Sequence, residues 1–403
     1  MRSLTCSAPA PGELEVAKPR APLNISRTVA TAHVAVSEAT GEHADKRYDR
    51  AQRRPDMKVL VTGHAGYIGS VLVEHLLSSG HQVTGLDSFL YEGCDFLPVR
   101  ASIEERRIDI RDVAPVDFEG FDAVVHLAAL SNDPLGALDP QLTRAINLEG
   151  SIRLARAARE AGVSRFVFAS SCSMYGASSG DDILDEGAPL RPLTAYAESK
   201  VRAEEALAGL ADPDFCVVLM RNATVYGLSP RLRLDVVLNN LTAWAVTTGA
   251  IRLLSDGRSW RPLIHVTDLA RVTEALLLVP ADEISARSLN VGSNGQNYRI
   301  RDLAAIVSEV AGVPVELAKG AESDPRSYRV DFGRLARLLP DLEFEWDASR
   351  GARELVDAFV TEGLTREMFD GPAFFRLRRL RELLASARLG SDLRPARPSI
   401  AAR

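Results

Sequence analysis

The chain has 403 residues, 46% of them apolar and 25% charged, and its formal charge of -6 is spread along the sequence without a basic block. That composition can bury a substantial core of one large or two modest domains, and it offers no footprint for nucleic acid or anionic lipid. Cys6, Cys94, Cys172 and Cys216 lack the close spacing of zinc or redox pairs. No apolar run reaches the roughly 18 residues of a membrane span, and no signal-peptide core precedes the first strand. A cytoplasmic protein without a metal site is expected.

Residues 1–56 mix Ala, Pro, Thr, Glu and Arg with few large apolar groups, so they cannot offset the entropy of ordering and are expected to be a disordered N-terminal extension. Met57 directly precedes the first strand, and an upstream extension from a mis-assigned start codon is one reading of the arm. From there, short β-branched runs at 59–61, 82–86, 107–108, 123–127, 166–168 and 216–219 alternate with helical stretches, the mark of a parallel sheet covered on both faces. Helical spacing runs over 141–161 and 194–210, ended by Gly162 and by Asp212-Pro213. After Arg221 the pattern loosens, with helices near 235–248 and 301–311. Beyond Asp370, Phe374, Leu377, Leu380 and Leu384 fall at helical spacing among arginines. Their amphipathic helix can dock on its own domain or on a partner.

The first strand runs into Gly63, Gly66, Tyr67, Ile68 and Gly69, a G-x-x-G-x-x-G turn that opens a helix. Glycines let the backbone approach a pyrophosphate, whose charge is stabilised by the free N–H groups of the helix start. The second strand ends at Asp87, roughly 20 residues on, where a carboxylate can accept hydrogen bonds from the adenosine ribose. A carboxylate repels a 2′-phosphate and no arginine occurs among residues 88–93 to offset it, which favours NAD over NADP. Ser171 follows the 166–168 strand, and Tyr196 and Lys200 lie four apart on one helix face. A tyrosine is a poor base at neutral pH, and an adjacent ammonium together with a positive nicotinamide ring favours its phenolate. Ser171 can bridge the reacting oxygen and the phenol. Ser171, Tyr196 and Lys200 are therefore the candidate catalytic residues, with Tyr196 and Lys200 also beside the cofactor.

With these motifs in place the chain resembles the extended short-chain dehydrogenase/reductase family, specifically its NAD-dependent nucleotide-sugar epimerases and dehydratases, over roughly residues 57–370. The resemblance implies a Rossmann-like, doubly wound α/β fold: an NAD-binding domain over 57–220, a smaller substrate domain over 221–370 with returning Rossmann elements, and an amphipathic helix with a polar tail over 371–403. It adds Asp109 and Ile110 beside the adenine, Leu127, Ala128 and Ala129 along the cofactor, and Asn147 on a helix. For the nucleotide-sugar substrate it implies Ser131, Cys172, Ser173, Asn222, Thr224, Asn240, Arg261, Arg326 and Tyr328. Arg261, in the Trp260 to Leu269 segment with His265 and Asp268, would clamp the diphosphate. Asp324 falls in the Tyr328 segment. His265 and Asp268 have plainer readings, a core histidine and a helix cap.

Two segments depart from the family pattern. Thr224 stands where asparagine is usual, with Asn222, Asn239 or Asn240 to compensate. Cys172-Ser173 stands where the 4,6-dehydratases carry an Asp-Glu pair. The expected reaction is epimerisation, by resemblance at C4 of a UDP- or dTDP-hexose, through a transient keto sugar. A nucleotide-sugar reductase or dehydrogenase, a dehydratase using Cys172, and a nonenzymatic NAD-binding protein remain open. A homodimer is implied by the family.

Overall fold

The computed structural model describes residues 56–177, 182–322 and 326–396. The expectations for residues 1–55, including Cys6, and for Asp324 lie outside the described residues. The unit from Arg54 onward is organised by seven parallel strands: β1 (Lys58–Thr62), β2 (Gln82–Asp87), β3 (Glu104–Arg107), β4 (Ala123–His126), β5 (Arg165–Ser171), β6 (Cys216–Asn222) and β7 (Arg287–Val291). Their order is β7-β6-β5-β4-β1-β2-β3. Beyond β1 the chain builds outward through β2 and β3, then returns to lay β4 on the other side of β1, with Val59 opposite Val83 on one side and Ala123 on the other. That reversal opens a crevice at the carboxyl ends of β1 and β4.

Both faces of the sheet are buried because successive side chains point to opposite sides. Val59, Val61, Val125 and Val167 enter one core, while Leu60, Val124, Phe166 and Phe168 enter the other. The principal helices are α1 (Tyr67–Ser78), α2 (Ser151–Glu160), α3 (Ala195–Ala208), α4 (Val237–Thr248), α5 (Val266–Leu278), α6 (Ile300–Ala311), α7 (Ala348–Thr361) and α8 (Arg376–Ala385). Helices α1 and α5 cover the first core, and α2 and α3 the second. A third core, around Tyr226, Ile251 and Leu263, joins α4, α6 and α7.

The structure differs from the sequence reading in the third strand and in the 141–161 helix. The third strand is Glu104–Arg107 and stops before Ile108; it is a charged edge strand with no apolar alternation to reveal it. The 141–161 helix is interrupted by a π-helical turn, Ala145–Gly150, a local widening that favours functional sites. The edge strand β7 comes from the loosely patterned half of the chain and pairs with β6 from Arg287↔Val218 to Val291↔Asn222. Of the two readings of the final helix, the described structure has α8 docked on its own chain. Leu380, Leu383 and Leu393 enter the same core as Leu60 and Leu135. No helix of the described residues is long and apolar enough to cross a membrane.

Candidate functional site

The β1–α1 turn is shaped by contacts that only glycine allows. Gly63 has φ +72°, and a Cβ there would lie 2.8 Å from the Ala128 nitrogen; on Gly69 it would lie 2.2 Å from the Gly63 oxygen. Gly66 is the N-cap of α1 and offers no side-chain cap, so the first N–H groups of a twelve-residue helix stay available to an anion. Asp87 closes β2: its carboxylate accepts from the Phe89 nitrogen at 2.7 Å and the Ala65 nitrogen at 3.2 Å. Burial raises its pKa against those two donors. Each carboxylate oxygen retains a lone pair for a ribose hydroxyl. Gly69→Ala should therefore prevent the turn from closing, with a fall in melting temperature and loss of NADH fluorescence enhancement on titration; a variant that melts and binds like the parent would refute the tight approach.

Thr194 caps α3, accepting from the Ala197 nitrogen at 3.1 Å and donating to Asp133 at 2.7 Å. Two and six residues on, Tyr196 and Lys200 are 8% and 3% exposed. The Lys200 ammonium donates to the Ala169 carbonyl at 2.7 Å and lies 4.5 Å from the Phe168 ring and 6.0 Å from the Tyr196 ring. Burial pushes Lys200 down to about 7, against the nearby Glu204 charge. It pushes Tyr196 up to about 12, opposed by a hydrogen bond with Ser171. In the protein groups alone, desolvation outweighs the Ser171 hydrogen bond and the Arg233 charge that favour the phenolate. The Ser171 hydroxyl also bonds to that of Ser173 at 2.9 Å.

These groups open into a cleft of about 500 Å³. Tyr67, Ile68, Leu127 and Ala129 line it from the glycine-turn side, and Ser131, Ser171, Ser173, Tyr196 and Lys200 line its middle. Asn222, Thr224, Asn240, Arg261, Arg326 and Tyr328 complete it from the second half of the chain. Arg261 donates to the carbonyls of Trp260 and Arg326, and Arg326 pairs with Asp133 at 2.7 Å. Among the described residues the buried acceptor of Asn222 and the Ser170 hydroxyl have no hydrogen-bond partner, which suits a ligand carrying donors.

Other predicted residues stand behind the walls. Ala128 packs against Gly63. Ile110 is buried against Gly150. Asp109 is bound by its neighbour Arg111 at 2.6 Å; burial opposes, but that guanidinium holds its carboxyl below the usual range. Asn147, in the π turn, accepts from the Leu130 nitrogen at 2.8 Å and donates to the Leu130 carbonyl and to Ser199. It braces the segment after β4 against α3. Cys172 is the clear correction: it is 1% exposed, packs in the core, and donates its thiol to the Arg221 carbonyl at 3.1 Å. Burial drives its pKa well up, and the side chain does not reach the cleft.

His265 takes its plainer role as a buried core histidine, whereas Asp268 is not the cap of its helix: His265 fills that place. His265 caps α5, bonds Glu354 at 2.9 Å and stacks on Trp346 at 3.9 Å, while Asp268 accepts from the Glu345 and Trp346 nitrogens. Asn239 is wholly internal and holds Gly227 and the Arg233 carbonyl. Sequence reasoning missed Asp133, Arg233 and Asp235, all on the cleft wall. Arg233 pairs with Asp235 at 2.8 Å and donates to Ser131 at 3.0 Å. The Arg-Leu-Asp triplet lies in a loop without periodicity, and its bond to Ser131 spans 102 residues, so no local pattern announced it. Among the described residues no cluster of three or more His, Cys, Asp or Glu is arranged to hold a metal.

A model of the NAD dependent epimerase/dehydratase family matches residues 59–292. The UDP-glucose 4-epimerase of Bacillus subtilis (strain 168) is 28% identical over 327 residues, covering 74% of this chain and 94% of that protein. Among solved structures, the UDP-glucose 4-epimerase of Thermus thermophilus in complex with NAD is 28% identical with a TM-score of 0.65, over 75% of this chain and 99% of that one. The dTDP-glucose 4,6-dehydratase DesIV of Streptomyces venezuelae, with NAD bound, is 25% identical with a TM-score of 0.66, over 77% and 100% of the two chains.

Proposed function

The chain belongs to the NAD-dependent epimerase/dehydratase family and is an NAD-dependent enzyme of nucleotide sugars; within it, we propose that the protein is an epimerase that inverts C4 of a UDP- or dTDP-hexose. The observation that carries this reading follows Ser171. There the chain has a buried thiol bonded to a carbonyl and then a hydroxyl. Neither can remove a carbon-bound proton at neutral pH, so elimination of water lacks its acid and base, whereas inversion through a ketone needs neither.

In this reading Tyr196 takes the proton of the sugar hydroxyl and later returns it. Ser171 bridges the phenol and the sugar oxygen, and Lys200 holds the nicotinamide ribose. NAD, when bound, supplies the hydride acceptor and a positive ring beside Tyr196. The glycine turn, Asp87 and the 127–129 segment fit such a dinucleotide, because the turn admits no Cβ and leaves helix N–H groups free. Asp109 and Ile110 support the adenine end and Asn147 positions the wall. Ser131, Ser173, Asn222, Thr224 and Asn240 meet the sugar side; Arg261, Arg326 and Tyr328 meet the nucleotide. A homodimer in the cytoplasm completes the proposal.

Incubating the protein with UDP- and dTDP-hexoses and no added cofactor should yield the C4 epimer by NMR, without net change in NADH absorbance and without solvent deuterium in the product. Turnover that appears only when nicotinamide cofactor is added, and that oxidises or reduces it stoichiometrically, would make it a reductase or dehydrogenase. Deuterium at the carbon beside the ketone would make it a dehydratase.

A further inference from the structure

The C-terminal segment lies well past the residues that the family model matches, yet it braces the cleft from behind. The Leu234 nitrogen donates to the Phe374 carbonyl at 2.9 Å, so the loop that carries Arg233 and Asp235 is tied to the approach to α8. Phe374 packs with Leu232 and Leu234. The first residue of α8, Arg376, is only 2% exposed. Its guanidinium donates to the Arg231 carbonyl at 2.8 Å and lies 4.4 Å from the Tyr91 ring.

Charge is not balanced there. Arg231 has Asp95 at 3.0 Å, Arg326 has Asp133, and Arg233 has Asp235. Among the described residues no carboxylate lies within ion-pair distance of Arg376. Burial and the neighbouring Arg233 charge both push its pKa down. Burial opposes the ionisation of Asp235, but Arg233, and Arg376 further off, hold its carboxyl low. Arg376 is thus a buried cation held by carbonyl and ring contacts and tied to the loop of the Arg233–Asp235 pair, and a buried cation without a carboxylate partner is costly unless something offsets it.

We propose that Arg376 is a positioning residue whose charge, acting through the Arg233–Asp235 pair and the loop it holds, completes the positive wall that receives a ligand diphosphate. The inference rests on the reading of the cleft as a site for a dinucleotide and a nucleotide sugar. Either carries a diphosphate, and the protein's response to each tells which one this wall serves.

The test compares the parent with Arg376→Gln, Arg376→Met and Arg376→Lys in the full chain, measuring NADH by fluorescence titration and UDP by calorimetry at low and high salt. A unit charge acting through protein at an effective dielectric near 20 is expected to be worth roughly tenfold in affinity. The neutral variants should lose about that factor for one of the two probes, in low and high salt alike because a buried charge is little screened, and Arg376→Lys should restore most of it. Weakened NADH assigns the wall to the dinucleotide, and weakened UDP to the nucleotide sugar. Unchanged affinities for both probes, or equal losses in the lysine and neutral variants, would overturn the inference. So would neutral variants that do not fold while the lysine variant does, since the charge would then serve the fold. If the parent itself binds neither NADH nor UDP, the reading of the cleft fails and not this one.

Discussion

Replacing Tyr196 by Phe should lower turnover by roughly 100- to 10,000-fold, the range for losing a positioned acid–base group, while leaving the fold and NADH binding intact. The ring sits in a closely packed place: a Cβ on Gly136 would lie 2.8 Å from the Tyr196 Cβ, and phenylalanine keeps that shape. What disappears is the hydroxyl bonded to Ser171. Because burial holds that phenol at about 12, its loss leaves no buried charge behind and little stability is at stake. Single-turnover epimerisation and NADH titration on the same preparation check the claim, and turnover within a few fold of the parent would remove Tyr196 from the mechanism.

Lys200→Met should produce opposite effects on activity and stability. Turnover should fall by roughly 100- to 1,000-fold, as for loss of a preorganised electrostatic contact. Stability should rise at pH 6. The folded pKa of about 7 lies below the unfolded value of 10.5, so at pH 6 the lysine is charged in both states and the folded protein bears the full desolvation cost. Between pH 7 and 10 the folded lysine is already neutral, while the unfolded one gains progressively less from its proton. The cost therefore shrinks by about 1.4 kcal/mol per pH unit. Methionine removes this penalty but leaves the Ala169 carbonyl without its donor, which returns about 1–3 kcal/mol. Denaturant melts of both proteins from pH 6 to pH 10 should show the variant's advantage greatest at pH 6 and declining above pH 7. An advantage that grows with pH would contradict the buried, depressed lysine.

Much of the site was readable because it is local. The glycine turn, the acid at the end of β2 and the Tyr196–Lys200 pair each lie within one turn or one strand–helix unit, where covalent spacing sets which groups meet. Cys172 shows the limit of that logic. Its neighbours Ser171 and Ser173 line the cleft, but the chain turns between them in a short 3₁₀ segment, Cys172–Tyr175, which sends the thiol inward to a carbonyl of β6. Adjacency along the chain did not carry over into adjacency at the site. The edge strand β3 was displaced in the reading for a related reason: without a buried face it has no apolar alternation.

By itself, the sequence determined the strand–helix alternation, the glycine turn and the placing of Tyr196 and Lys200 on one helix face, since these follow from periodicity and short-range geometry. Only the tertiary structure decided the direction in which Tyr196 and Lys200 titrate, the retreat of Cys172, and the convergence of Ser131, Arg233, Asp235 and Arg376 from distant segments. Those outcomes depend on depth of burial and on contacts between residues many tens of positions apart, quantities that arise only when the sheet and its covering helices are closed around the cleft.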